Sequence, residues 1–277
     1  MIAFPKLDAF AALYPETPGL VAHHLARHAM FELDALIALA GRLDPANVEY
    51  NRGDLPVGVD AQAAIGNGLS IADTIRDIED NGSWLVLKFV ERDPAYRALL
   101  AATLAELMPI VGPATGAMLK QEGFIFVSSP GSVTPFHFDP EHNILLQLRG
   151  TKTMTVFSAA DEAVVAGIEH ERFHIGGHRN LPWHDTVAAK GRAFDLTPGR
   201  GIYVPVKAPH WVKNGPEVSV SFSVTWRSEW SYAEADARAM NAKLRQLGMT
   251  PRSPERYPAR NAVKANGYRV LRKLKLS

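Results

Sequence analysis

The chain has 277 residues, 47% of them hydrophobic, with 30 Lys and Arg against 29 Asp and Glu for a net charge of +1. That is enough apolar material for one large or two modest domains with a substantial core. Cysteine is absent, which excludes disulfides, thiolate zinc sites, iron–sulfur clusters and cysteine nucleophiles, so any metal has to be held by nitrogen and oxygen.

The N-terminal run MIAFPKLDAF places Pro5, Lys6 and Asp8 where a secretory signal needs an unbroken apolar core, and no later stretch is a charge-free apolar segment of spanning length. The expectation is a cytoplasmic protein with no membrane contact. Residues 32–43 (ELDALIALAGRL) have the apolar spacing of a helix that stops at Asp44-Pro45, because proline disfavours helix in the residue before it. A second helix is predicted over 71–80, a strand over 83–90 (SWLVLKFV), and a helix over 95–111 opened by Asp93-Pro94. Residues 1–122 are therefore expected to form a helical and strand region packed on a β-rich core.

From Gly123 the texture changes to short β-rich runs separated by turns: FIFVSS, TPFHFD, NILLQL, KTMTVF, AFDLT, GIYVP, HWVKN and VSVSFSVTW. Such a series reads as a sandwich or barrel, here over residues 123–228. An insertion lies between Phe157 and Ala193, expected to be helical over 158–168 and irregular thereafter, and it holds His170, His174, His178 and His184. Residues 229–277 continue as a helix over 231–247 closed by Gly248, a linker-like stretch PRSPERYP, and a basic tail. No internal repeat or low-complexity segment interrupts the chain.

The chemistry concentrates in TPFHFDPEHNILLQLRGTK, residues 134–152. In a strand, residues two apart share a face, so His137 and Asp139 aim at one point while Phe136 and Phe138 aim away. About seventy residues on, GIYVPVKAPHW brings His210 in after another strand, in the order a double-stranded β-helix needs to return a third ligand to the first two. Two histidines and a carboxylate on one face of an ion are the donor set of non-haem Fe(II) oxygenases, which leaves coordination positions open.

The run Thr134-Pro135-Phe136-His137-Phe138-Asp139, then Asn143, Gln147, Gly150 and Lys152, and later Tyr203-Val204-Pro205 and His210, resembles the cupin-like JmjC hydroxylases over about residues 80–228. Those are Fe(II)- and 2-oxoglutarate-dependent oxygenases similar to the HIF asparaginyl hydroxylase. The resemblance implies a mainly β fold with flanking helices: a double-stranded β-helix (jelly roll, cupin-like) core, an N-terminal helical apron and C-terminal helices. It also implies His137, Asp139 and His210 as iron ligands, Thr134 and Lys152 as holders of the distal carboxylate of 2-oxoglutarate, and Asn143 as a further site-lining residue. The expected reaction couples oxidative decarboxylation of 2-oxoglutarate to C–H hydroxylation of an unknown substrate, a protein side chain or a small molecule. Hydroxylation and demethylation differ only in where the abstracted hydrogen sits.

The residues themselves agree about Lys152. In KTMTVF it shares a face with Met154 and Val156, so its ammonium is directed into an apolar interior, where a charge without an anion is costly. The alternative is a lysine at the strand entrance that snorkels to water. On the strand at 218–226, Ser219, Ser221, Ser223 and Thr225 form a row of hydroxyls that suits either a ligand cavity or a solvent face, and the sequence leaves open which of Ser221, Ser223 and Thr225 meets the site.

His170-Glu171-Arg172-Phe173-His174 matches the H-E-x-x-H zinc-hydrolase pattern. Ile175-Gly176-Gly177 stops any helix at once and the setting is β-rich, so the stretch reads instead as a loop over the barrel mouth, with His178, Arg179 and Asn180 as substrate contacts. His24 and His28 read as members of an ordinary helical face. Residues 251–277 carry eight Lys or Arg against Glu255 alone, leaving 22 basic and 28 acidic residues elsewhere. Nucleic acid is one partner for such a tail. Docking of its apolar residues on the acidic body or on a second subunit is preferred, and the resemblance implies a homodimer through C-terminal helices. Two other functions remain in view: a cupin-type metal protein without 2-oxoglutarate chemistry, for which Lys152 is dispensable, and a non-catalytic binding or regulatory protein on the same fold.

Overall fold

The computed structural model describes residues 2–52 and 67–275. The last two residues of the basic tail lie outside them. The first part of the chain supplies α1 (Asp8–Leu13), β1 (Gly19–Ala22), α2 (Leu33–Ala40), β2 (Val48–Arg52), α3 (Ile71–Arg76), β3 (Ser83–Lys88), α4 (Pro94–Ala105) and α5 (Met108–Thr115). Next come β4 (Met118–Ser128), β5 (Val133–His137), β6 (His142–Arg149) and β7 (Lys152–Val156). The insertion holds α6 (Gly167–Phe173) and α7 (Asp185–Ala188), and β8 (Arg192–Leu196), β9 (Arg200–Val204), β10 (His210–Asn214) and β11 (Ser219–Ser228) complete the strands. The chain ends in α8 (Glu229–Gln246) and α9 (Ala262–Lys273).

Two antiparallel sheets form, one in the order β1-β9-β6-β11-β4-β3-β2 and one in the order β5-β10-β7-β8. Between β4 and β11 the chain passes back and forth between the sheets, which is the winding of a double-stranded β-helix. The eight strands expected from residues 123–228 all form. Leu145, Met154, Val156, Phe194, Leu196, Ile202, Val204, Ala208 and Val212 fill the space between the sheets. The outer face of the larger sheet is covered by the N-terminal helices through a larger apolar cluster that includes Leu36, Leu39, Leu100, Leu104, Ile125, Val127, Phe222 and Trp226.

The N-terminal region does more than cover the barrel. β1 pairs with β9 at one edge of the larger sheet, and β2 and β3 extend the other edge beyond β4. The helix expected over 95–111 is two helices, bent by 66° between α4 and α5. Asp93 starts α4 by accepting from the N–H groups of Ala95 and Tyr96, and Pro109 ends it, because proline has no N–H to continue the ladder and fits only the first turn of the next helix. Among the described residues no single helix is long and apolar enough to cross a membrane.

The helix expected over 158–168 is displaced. Ser158 and Asp161 accept from the N–H groups of Ala160 and Ala163, local bonds that compete with helix formation, and the helix forms later as α6, where His170 and Glu171 are buried. PRSPERYP is not a loose linker: Arg256 pairs with Glu16 at 2.9 Å and the indole N–H of Trp230 donates to the Ala259 carbonyl at 2.9 Å. The basic tail docks on its own chain, with Arg269 of α9 pairing with Asp236 of α8 at 2.6 Å.

Candidate metal centre

β5 and β10 are neighbours in the smaller sheet, and His137 stands in register with His210. His137 closes β5 and Asp139 comes two residues later, while Phe136 and Phe138 turn into a separate apolar cluster with Phe157, Val165, Leu181 and Val187 beneath the insertion. The pairing slips between His210 and Val212, which face His137 and Thr134. β5 thus has one residue more than β10 over this stretch, a bulge that bends the strand. It lets Thr134 and His137, an odd number of residues apart, line the same cavity.

Asp139 Oδ2 lies 3.7 Å from Nε2 of His137 and 3.6 Å from Nε2 of His210. One first-row ion spans such separations, since its bonds to nitrogen and oxygen are about 2.0–2.2 Å. Among the described residues this is the only group of three or more His, Asp or Glu side chains whose ligand atoms all fall within 4.8 Å of one another. Both imidazoles are held in one tautomer. His137 Nδ1–H donates to the Pro135 carbonyl at 2.7 Å and His210 Nδ1–H to the Ala208 carbonyl at 2.9 Å, so each Nε2 presents a lone pair. Burial, then the neighbouring His137, lowers the His210 pKa to about 4, so that ring is neutral at physiological pH. Burial works to raise the Asp139 pKa, but the Arg179 guanidinium and then His137 and His210 hold it well below the usual carboxylate range.

Arg179 reaches the centre from the insertion, its Nη1 donating to Asp139 Oδ1 at 2.7 Å. The backbone around it is laddered onto the end of β5: the Phe138 N–H donates to the Arg179 carbonyl at 3.2 Å, the Leu181 N–H donates to the Phe136 carbonyl at 2.9 Å, and Asn180 bridges His137. Arg179 and Asn180 line the cavity mouth. The expected loop over the barrel is therefore a strap, and what Arg179 touches in this structure is a carboxylate of the centre itself.

The cavity, about 930 Å³ with its open mouth, runs from the His-Asp-His group between the sheets to Lys152, past Thr134, Asn143, Leu145, Met154 and Val212. Lys152 is 6% exposed, so it does not snorkel to water. Among the described residues its ammonium has no hydrogen bond or ion pair, and burial alone lowers its pKa to about 7. The hydroxyl row of β11 faces the interior and every residue of that strand is buried. Ser221 donates to Gln147 Oε1 at 2.7 Å and Thr225 to the Glu122 carbonyl at 3.1 Å, whereas Ser223 donates to Asn143 Oδ1 at 2.7 Å. Of the three, Ser223 reaches the cavity, and only through Asn143.

H-E-x-x-H does not build a second centre. Glu171, 0% exposed, is held by Arg245 at 2.5 Å and by the Asn241 amide at 2.8 Å, both from α8. The glutamate is thereby spent on pinning the insertion to α8. His28 accepts from the Met30 N–H at a short turn. Two groups at the start of β6 have no signal of their own in the sequence, Glu141 beside Asp139 and His142 on the opposite face of the strand from the cavity. Glu141 has its pKa raised to about 7 by burial and by Asp139. His142 is stacked on Trp226 at 5.3 Å, with the Tyr203 and Ser228 hydroxyls on its two ring nitrogens.

No family model matches the chain. Over 99 residues, 33% of this chain and 25% of the relative, it is 32% identical to Jumonji C domain-containing protein 5 of Drosophila melanogaster. Over 102 residues, 35% of this chain and 22% of the relative, it is 28% identical to Lysine-specific demethylase 8 of Xenopus tropicalis. The chain thus spans about a quarter of the length of the curated relatives it matches. The first of these names supports a Jumonji C likeness, and neither supports the narrower HIF asparaginyl hydroxylase class. Among solved structures, that of E. coli ycfD aligns with 97% of this chain and 67% of its own at a TM-score of 0.49 and 17% identity. YcfD, a ribosomal oxygenase from Escherichia coli in complex with cobalt and 2-oxoglutarate, aligns over the same shares at 0.49 and 16%.

Proposed function

We propose that this protein is a Jumonji C-type Fe(II)- and 2-oxoglutarate-dependent oxygenase, which couples oxidative decarboxylation of 2-oxoglutarate to C–H hydroxylation of a protein side chain or a small molecule. His137, Asp139 and His210 would hold the iron; Thr134 and Lys152 would hold the distal carboxylate of 2-oxoglutarate, with Asn143 beside it. Residues 123–228 would form the catalytic core, with the described residues of 1–122 and 229–277 packed around it. The cytoplasm is the compartment the composition favours.

The observation that carries this reading is a pair of complementary deficits at the two ends of one cavity. At one end, two imidazole Nε2 atoms and one carboxylate oxygen converge, the oxygen 3.7 and 3.6 Å from the nitrogens, with no other partner among the described residues. At the other, a buried ammonium lacks an anion among the described residues. A metal satisfies the first and a dicarboxylate that reaches the metal satisfies the second. Lys152 is what weighs against both a cupin-type metal protein without 2-oxoglutarate and a purely binding protein, since neither has use for an unpaired buried cation.

When bound, the iron and 2-oxoglutarate supply the oxidising chemistry. The chain's own tasks are holding and excluding. Nδ1 contacts to backbone carbonyls keep both imidazoles aimed, and Arg179 keeps Asp139 ionised. Ser223 donates to Asn143 Oδ1, which commits the carbonyl end of that amide and leaves its N–H donors for the cavity. Leu145, Met154, Val212 and Phe126 give the cavity apolar walls that displace water. No side chain is required as the principal acid or base. The exposed Val263, Val270 and Leu274 of the α9 region support a homodimer through the C-terminal helices, whereas the pairing of Arg269 with Asp236 leaves less of the basic tail for nucleic acid.

The test is an anaerobic titration of the protein with Fe(II) and 2-oxoglutarate, watched for the weak visible band that the two give when chelated together. The band is expected in the wild type and absent in Lys152→Ala. Its absence in folded, iron-loaded wild type overturns the assignment.

A further inference from the structure

Asp139 has two carboxylate oxygens, and the structure treats them differently. Oδ2 faces Nε2 of both histidines at 3.6 and 3.7 Å. Oδ1 carries the Arg179 guanidinium at 2.7 Å. We propose that Arg179 is a positioning residue that restricts Asp139 to one-oxygen ligation, so that a strap from the insertion decides how many positions on the metal remain open to reactants. The inference rests on the reading of His137, Asp139 and His210 as metal ligands.

The restriction arises from competition for a lone pair. A carboxylate can bind a cation through one oxygen or both, and the second mode would require Oδ1 to give up a charge-assisted hydrogen bond to a guanidinium. Arg179 does not wander into this contact. Its backbone is fixed by the ladder that Phe138, Asn180 and Leu181 make with the end of β5, the segment that carries His137 and Asp139. Strap and ligands therefore share one register, and the side chain has only to turn back over Asp139. The side chain is 55% exposed and sits at the cavity mouth, so replacing it leaves no hole in a core.

The experiment uses Co(II) as the probe, with the full chain of the wild type, Arg179→Met and Arg179→Lys. Affinity is read by titration and coordination by the visible absorption of the bound ion, whose intensity and position depend on the number and arrangement of its ligands. Thermal unfolding without metal checks that each variant folds. Arg179→Met is expected to show a changed spectrum and to bind Co(II) no more weakly than the wild type, because Asp139 can then ligate through both oxygens and a guanidinium charge beside the dication is gone. Arg179→Lys is expected to recover much of the wild-type spectrum, since an ammonium still donates to Oδ1, although as a point charge without the planar fork. A folded Arg179→Met with wild-type affinity and spectrum overturns the inference and leaves the metal centre standing. A Lys variant indistinguishable from the Met variant also overturns it, by showing that a donor to Oδ1 is not what matters. If wild type takes up no Co(II) that His210→Ala loses, the ligand assignment and this inference fall together.

Discussion

Replacing Lys152 with methionine should make the empty protein more stable while removing its cosubstrate site. Burial lowers the Lys152 pKa from 10.5 to about 7, and each pKa unit is worth about 1.36 kcal/mol. The buried ammonium therefore costs the folded state up to about 5 kcal/mol, with water in the cavity relieving part of it. The pH window comes from proton counting. Between about pH 7 and 10.5 the unfolded chain holds this proton and the folded chain does not, so stability rises with pH across that interval. The cost is complete below about 7 and gone above 10.5. Methionine has similar length, gives up no hydrogen bond that Lys152 makes to the described residues, and carries no charge. At pH 6.5, Lys152→Met should raise the melting temperature by about 4–10 °C, taking roughly 2 °C per kcal/mol for a chain of this size. Saturating 2-oxoglutarate with a redox-inert divalent metal should protect the wild type and not the variant, where about 100-fold excess over Kd is worth about 2.7 kcal/mol. The assay is thermal unfolding monitored by circular dichroism, with and without the ligand. A variant that melts at or below wild type at pH 6.5, or one that 2-oxoglutarate protects equally, refutes the reasoning.

The same lysine sets a pH dependence for cosubstrate binding: 2-oxoglutarate needs the ammonium, so its affinity should fall about tenfold per pH unit above about 7, and calorimetry in two buffers at pH 8 should show a proton taken up. Flat affinity from pH 6 to 9 contradicts this. Arg245→Ala, which strands the buried Glu171 carboxylate, should destabilise by about 3–5 kcal/mol in urea unfolding, whereas His174→Gln should leave Co(II) uptake unchanged, an outcome that metal ligation by H-E-x-x-H would not allow. For the proposed dimer, Val263→Asp with Val270→Asp should shift sedimentation to that of a monomer without lowering the melting temperature of the isolated chain, since both side chains are exposed.

The barrel and the His-Asp-His group are legible in the sequence because each depends on short runs with their own signature. Alternating or continuous apolar residues mark every strand from β4 to β11, and the ligands sit in two such runs, one before β6 and one after β9. Other features depend on partners far along the chain. β1 is a strand because β9 offers it an edge, and β2 (VEYNR) because β3 does; neither has a pattern that propensity would select. Apolar spacing carries a single helix across 95–111 only if Pro109 is given no weight, and the chain breaks there. Lys152 announces its burial through the alternation of KTMTVF, whereas Thr134 faces the cavity only because of a bulge that alternation does not anticipate. Arg179 belongs to a stretch expected over the site, but its contact with Asp139 requires the whole insertion to fold back along β5, and nothing local to HRN encodes that.

Lys207 ties the centre to the timing of its own assembly. It stands three residues before His210, donates its backbone N–H to the Asp139 carbonyl at 2.8 Å, and sends its ammonium to Glu234 of α8, which Arg238 also holds at 2.9 Å. Despite burial, those two cations keep Glu234 well below the usual carboxylate range. A chain emerging from the ribosome presents all of its ligands before it presents Glu234, and until α8 arrives Lys207 has no counter-ion and is better off in water. The turn that delivers His210 to Asp139 therefore gains its buried counter-charge only when the C-terminal helix docks, so a nascent or clipped chain would carry every ligand without the ion pair that braces the turn.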